Sequence, residues 1–138
     1  MSLAPTFAPL LNAPLAIQLH AFAAMGAFAL GVAQFAAPKG TLPHRTVGWI
    51  WVGLMLIVAV SSFWIHGKSP RLAGPFGPIH LLSIMVLLML PIALWFAHRH
   101  NARGHAKTMI GIFIGGLVVA GLFTFIPGRL MHAVAFGG

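Results

Sequence analysis

The stretch "HRTVGWIWVGLMLIVAVSSFWI", residues 44–65, opens on a histidine and an arginine and then carries no charge from Val47 to Ile65. A helix rises 1.5 Å per residue, so about 20 apolar residues cross a hydrocarbon core of about 30 Å. This run therefore predicts a membrane span with a polar entrance at His44. Comparable runs recur along the chain, and spans are expected near residues 14–37, 43–66, 78–98 and 105–127. Of the 138 residues, 59% are hydrophobic, eight are Lys or Arg and none is Asp or Glu. Soluble domains carry about a quarter charged residues, so this composition belongs in lipid. The expected architecture is an all-α integral membrane protein, a single four-helix transmembrane domain over residues 1–138 with up-down topology.

The charges sit at the span ends. The N-terminus, the loop 66–77 and the C-terminus share one side of the membrane, side A, which has Lys68, Arg71 and Arg129. Side B, with the loops 38–45 and 98–107, has Lys39, Arg45, Arg99, Arg103 and Lys107. The basic excess on side B predicts that it faces the cytoplasm and that both termini face the periplasm. Lys39 is the first basic residue, so the first run lacks the basic start of a signal peptide and is expected to be a retained span. The scattered cations suit anionic lipid headgroups or an anionic cofactor, and no nucleic-acid partner is expected. The missing carboxylates rule out Glu-based di-iron sites, acidic ion rings and carboxylate proton relays within this chain. The missing cysteines rule out disulfides, thiolate ligands and covalently attached haem.

Helix punctuation is consistent with this layout. Asn12 with Pro14 is expected to cap the first span, Thr41 with Pro43 the second, and Gly104 to precede the fourth. Gly26, Gly31, Gly48, Gly53, Gly111, Gly115, Gly116 and Gly121 are expected at helix contacts. A weak internal repeat is present: His20 precedes His44 by 24 residues, and His80 precedes His105 by 25. It predicts two helical hairpins of one design.

Eight histidines in so apolar a chain call for a function, because polar side chains within a bilayer are costly. His20 lies 18 residues before Pro38 and His80 lies 18 residues before His98. Both are thus roughly 27 Å from the side B boundary, level with each other toward side A. His44 and His105 open the second and fourth spans, level with each other near side B. Spans one and three, and two and four, are diagonal in an up-down bundle, so each level offers two facing imidazoles. Two neutral imidazoles on opposite sides of a flat macrocycle is the ligand set of six-coordinate haem. Zinc would lack its usual four ligands here. Two haems would bring propionates to the basic ends, with Lys39, Arg45, Arg103 and Lys107 available on side B and Lys68 and Arg71 on side A. Gly48, one turn beyond His44, is expected to leave room for a ring, as is Ala24 beyond His20. A histidine at a span end is also commonly an interfacial residue, the deeper His20 is in the alternative held by a hydrogen bond to backbone or serine, and His66 or His132 can replace a member of the side A pair. His98 and His100 read as solvated neighbours of the basic loop.

The segments "LPHRTVGW" (42–49) and "GPIHLL" (77–82), with upstream His20 and later His105, resemble a family of small predicted bacterial membrane proteins of unassigned function. Its His-Arg-x-x-Gly-Trp signature is matched by His44, Arg45, Gly48 and Trp49. The arrangement is also similar to the cytochrome b561 class of four-helix di-haem proteins. That resemblance implies two haems b with axial pairs His20–His80 and His44–His105 in the bacterial inner membrane. It also implies electron exchange with the quinone pool, with ubiquinone as a candidate, or with superoxide. Gln34 and Arg45 are candidates to touch a quinone carbonyl or a propionate, and each is equally a candidate interfacial anchor. A quinone- or superoxide-linked oxidoreductase is one expectation. A non-catalytic subunit or haem anchor of a larger respiratory or photosynthetic complex, beside another redox subunit, is the alternative. Copper handling by histidines and methionines ranks last, because Met25, Met55, Met85 and Met89 read as core packing.

Overall fold

A computed structural model of the chain describes residues 7–64, 78–124 and 130–136. Four of its helices are long and apolar enough to cross a membrane. A short helix α1 (Ala8–Leu11) precedes α2 (Leu15–Ala36), α3 (Leu42–Ser62), α4 (Pro78–His98) and α5 (Ala102–Phe113). The fourth span continues from α5 through a π-helical turn (Ile114–Val119) into α6 (Ala120–Thr124), and α7 (Leu130–Phe136) closes the described chain. The protein is all-helical, with four spans running up and down as two hairpins.

Local chemistry sets the helix starts. Thr41 Oγ1 accepts from the His44 amide at 3.3 Å, and Pro43 lies in the first turn of α3, as the sequence predicts. Asn101 Oδ1 accepts from the Gly104 amide at 3.0 Å and starts α5 at Ala102. Asn12 departs from expectation, because it closes α1, and α2 begins behind Pro14 without a side-chain cap. The Gln18 amide ties that corner by donating to the carbonyl oxygens of Ala13 at 2.7 Å and Leu11 at 3.2 Å. At the other end of α2, the Lys39 ammonium donates to the carbonyl oxygens of Gln34, Phe35 and Ala37. A cation is favourable there, where free carbonyls concentrate negative potential. Pro91 sits inside α4 without ending it.

Packing is strongest within each hairpin, α2 on α3 and α4 on α5; α3 then meets α4, and α2 meets the π-helical turn. This ring makes α2 and α4 one diagonal and α3 and the fourth span the other. The central core is built from Ala27, Trp51, Met55, Leu90, Ile112 and Phe113, all buried. Trp51, 3% exposed, satisfies its indole N–H on the Ala27 carbonyl at 2.9 Å. Outward faces carry large apolar side chains such as Leu88, Trp95 and Leu122, as a lipid-facing surface requires.

The fourth span is where small residues matter most. A Cβ on Gly31 would stand 2.5 Å from the Phe113 ring, and one on Gly116 2.9 Å from Val86. Met85 lies against Gly115 and Met89 against Gly111, thioether ends filling notches left by glycine. Gly53 and Gly121 differ from this pattern: no described atom lies within 4 Å of where their Cβ would be. Among the described residues, Gly53 therefore does not serve as the close helix contact expected of it.

Candidate functional site

Four histidines occupy the two ends of the bundle, above and below the packed centre. At side A, His20 sits in the second turn of α2, facing the last turns of α3. Its Nδ1 lies 2.9 Å from the Val58 carbonyl oxygen and 3.2 Å from Ser61 Oγ. A carbonyl only accepts, so Nδ1 carries the proton and donates it. In the neutral ring Nε2 then keeps a bare lone pair. His80, at the start of α4, is 4% exposed. It packs against Phe63, with ring centroids 5.7 Å apart. One turn further along α4, Ser83 Oγ meets Ser62 Oγ at 2.5 Å, and Ser62 donates to the Ala59 carbonyl at 2.7 Å. Both side A histidines therefore lie against the end of α3, amid hydroxyl groups that the apolar core lacks.

The side B end repeats half of this. His105 Nδ1 lies 2.9 Å from the Ala93 carbonyl oxygen, which again fixes the proton on Nδ1 and leaves Nε2 bare. In both hairpins, then, an imidazole of one helix is anchored on a backbone carbonyl of its hairpin partner. His44 is different. Its Nδ1 is buried with no hydrogen-bond partner. His105 and Lys39 both lie close enough to His44 to act on its charge. A buried nitrogen without a partner is costly.

The remaining candidates fall into place around these four. Gln34 donates its amide to the His44 carbonyl oxygen at 2.8 Å. That amide nitrogen lies 3.5 Å from where a Gly48 Cβ would be, so the gap beside Gly48 is lined by Gln34. Ala24 packs against the central core. Arg45, Arg103 and Lys107 are exposed, and Arg99 lies over the Trp95 ring at 5.3 Å. His98 and His100 are exposed, as their loop setting suggests. Lys68, Arg71, Arg129 and His66 lie outside the described residues, and so does the side chain of His132. Among the described residues no three His, Cys, Asp or Glu side chains converge. A backbone or serine partner for His20 was the alternative expectation, but sequence reasoning could not single out Val58, Ser61 or, for His105, Ala93, since a backbone carbonyl has no residue-specific signature and Ser61 is one small residue in an apolar run.

Two imidazoles are thus preset in the tautomer that leaves the Nε2 lone pair unprotonated, and a third ring, that of His44, has a buried nitrogen without a hydrogen-bond partner. Trp51, Met55, Leu90 and Phe113 fill the centre, so anything held by these rings belongs toward the two ends.

Residues 17–135 match the family described as "Predicted membrane protein (DUF2306)". The chain belongs to this family. Neither the curated proteins nor the solved structures contain a match to it. The matched region includes all four histidines and every hydrogen bond described around them, so the site lies within the family domain.

Proposed function

We propose that the protein is a b-type di-haem membrane cytochrome that carries electrons across or within the bilayer, in an arrangement similar to the cytochrome b561 class. His20 with His80 and His44 with His105 are the axial pairs of this reading, and the quinone pool or superoxide is the exchange partner. The observation that carries it is the pair of Nδ1–H donations, His20 to Val58 and His105 to Ala93, each at 2.9 Å. Ligating histidines are characteristically oriented by such a bond, which fixes the tautomer, restrains ring rotation and raises the basicity of the ligating nitrogen. Haem, when bound, supplies a one-electron iron couple.

The chain's own work is orientation and exclusion. Val58 and Ala93 aim two imidazoles. The apolar core keeps water from the region between the two ends, which raises the cost of net charge there and tunes potential through burial. Arg45, Arg103 and Lys107 are exposed cations at the side B end without any carboxylate in the chain to pair them, and they suit propionates. The basic excess at that end supports a cytoplasmic side B and periplasmic termini in a bacterial inner membrane.

The test is an absorbance spectrum of protein purified from haem-replete cells, oxidised and dithionite-reduced, with haem quantified per chain. A Soret band and split reduced α-band at about two haems per chain are the expected result. His20→Ala, His44→Ala, His80→Ala and His105→Ala should each remove about one haem. A colourless wild-type protein, or full pigment in any of the four variants, overturns the corresponding assignment.

A further inference from the structure

The hairpin α2–α3 has a groove of about 540 Å³ on its outer flank, toward side A. Leu15 and Leu19 of α2 and Leu56 and Val60 of α3 form its walls, Trp64 stands at its side A end, and Ser61 is part of its lining. Leu15, Leu19, Leu56, Val60 and Trp64 are all exposed, so the groove opens sideways into lipid and receives solutes dissolved in the membrane. It is a shallow furrow, largely open along one side. A hydrocarbon chain could lie along the walls but has no use for the serine.

Counting the hydrogen bonds of Ser61 shows what it is free to read. Its hydroxyl donates to the Val58 carbonyl at 3.2 Å. It accepts from His20 Nδ1–H at 3.2 Å, the direction being fixed because that nitrogen also donates to Val58. A serine hydroxyl has one proton and two lone pairs, so one lone pair remains. The groove therefore favours a headgroup that donates. Trp64, beside the headgroup level where indoles settle, lines the groove and is exposed, so its indole is accessible to a flat ring.

We infer that this groove binds a membrane-dissolved hydroquinone, with a phenolic hydroxyl donating to Ser61 and the apolar tail lying between α2 and α3. The inference rests on the cytochrome reading for its partner class, and it names the entry point: the quinol docks one hydrogen bond from His20. It moves the quinone contact away from Gln34, whose amide is engaged by the His44 carbonyl.

The test uses the full chain in nanodiscs of zwitterionic lipid and a brominated long-chain alkylphenol, whose bromine quenches tryptophan fluorescence. The methyl ether of the same phenol is the control, and Trp64→Phe identifies the signal from the groove. Saturable quenching by the phenol, with the ether roughly five- to tenfold weaker, is expected, as is displacement by decylubiquinol on dithionite-reduced protein. Ala16 also lines the groove, and Ala16→Phe, which fills it, should abolish saturation. Ser61→Ala should erase the preference for phenol over ether, and Ser61→Thr, which keeps the hydroxyl, should retain it. Quenching that rises linearly and is unchanged by Ala16→Phe means lipid-like partitioning and overturns the inference, as does saturable binding that ignores the phenolic proton. A colourless protein that still binds the phenol would defeat the cytochrome reading alone; a pigmented protein with linear quenching would defeat the groove alone.

Discussion

The two ends of the bundle hold the same residue type in different states. At side A, His20 is anchored on Val58 and Ser61, His80 is buried against Phe63, and Ser62 and Ser83 share a hydrogen bond. At side B, His105 is anchored on Ala93, yet His44 leaves a buried nitrogen unpaired, with His105 and Lys39 in range. Side A is a hydrogen-bonded polar layer; side B leaves one buried nitrogen unsatisfied. A chain selected for stability alone would have an apolar residue at position 44, because replacing an unsatisfied polar group by one of similar shape is neutral or favourable.

That contrast breaks most visibly in the stability of the haem-free protein. His80→Ala removes a nearly buried ring and its contact with Phe63, and should cost about 3 kcal/mol, as large-to-small core changes do. His44→Leu should cost nothing or add up to about 1 kcal/mol, since it removes the orphaned nitrogen. Reversible unfolding in mixed micelles measures both. If His44→Leu destabilises the haem-free protein as much as His80→Ala does, the two ends are equivalent and the defect at side B is illusory. In the haem-loaded protein the order should change, with His44→Leu losing about one haem per chain and the stability that bound ligand confers.

A smaller effect sharpens the side B description. Gln34→Ala removes the bond to the His44 carbonyl and should cost about 1 kcal/mol. Gln34→Met keeps the volume beside Gly48 and should recover part of that loss through packing. Neither should change haem content, because the amide bonds to backbone rather than to an imidazole. A loss of pigment in Gln34→Met would show instead that Gln34 orients the ring of His44.

The fold was legible because its signals are long and periodic. Four charge-free runs, separated by Pro- and Gly-rich connectors, define the hairpins, and Thr41 with Pro43 marks the start of α3. Asn12 misled because the chain makes an extra turn, α1, before Pro14. The expected levels of the histidines come from counting residues, since a helix converts sequence distance into depth. Their partners could not be counted. Val58 and Ala93 act through carbonyl oxygens, which every residue has, and only the rotation of α2 against α3 and of α4 against α5 decides which carbonyl faces which ring. The π-helical turn at Ile114–Val119 was equally hidden, since one extra residue per turn leaves no mark in an all-apolar stretch. Gly48 shows the limit of face arguments: its spacing from His44 identified a gap, but Gln34 lines that gap.

The least effect is expected at the finished layer of side A, in Ser62→Ala. Ser62 bridges α3 to α4 by its contact with Ser83, and it also donates to Ala59 within its own helix. Hydrogen bonds between membrane helices contribute only about 0.6 kcal/mol on average, because a polar group in the unfolded state within the membrane finds other partners. Ser62→Ala should therefore cost about 0.6 kcal/mol, and a double-mutant cycle with Ser83→Ala should return a coupling of that size. The reason to make the measurement is His80, one turn from Ser83 on α4. If the serine pair only fastens α3 to α4, its loss leaves the reduced spectrum and the side A midpoint potential of the loaded protein unchanged. A shift in that potential with so small a change in stability would mean that the pair fixes where α4 presents His80, and that the layer is part of the ligand's support rather than helix glue.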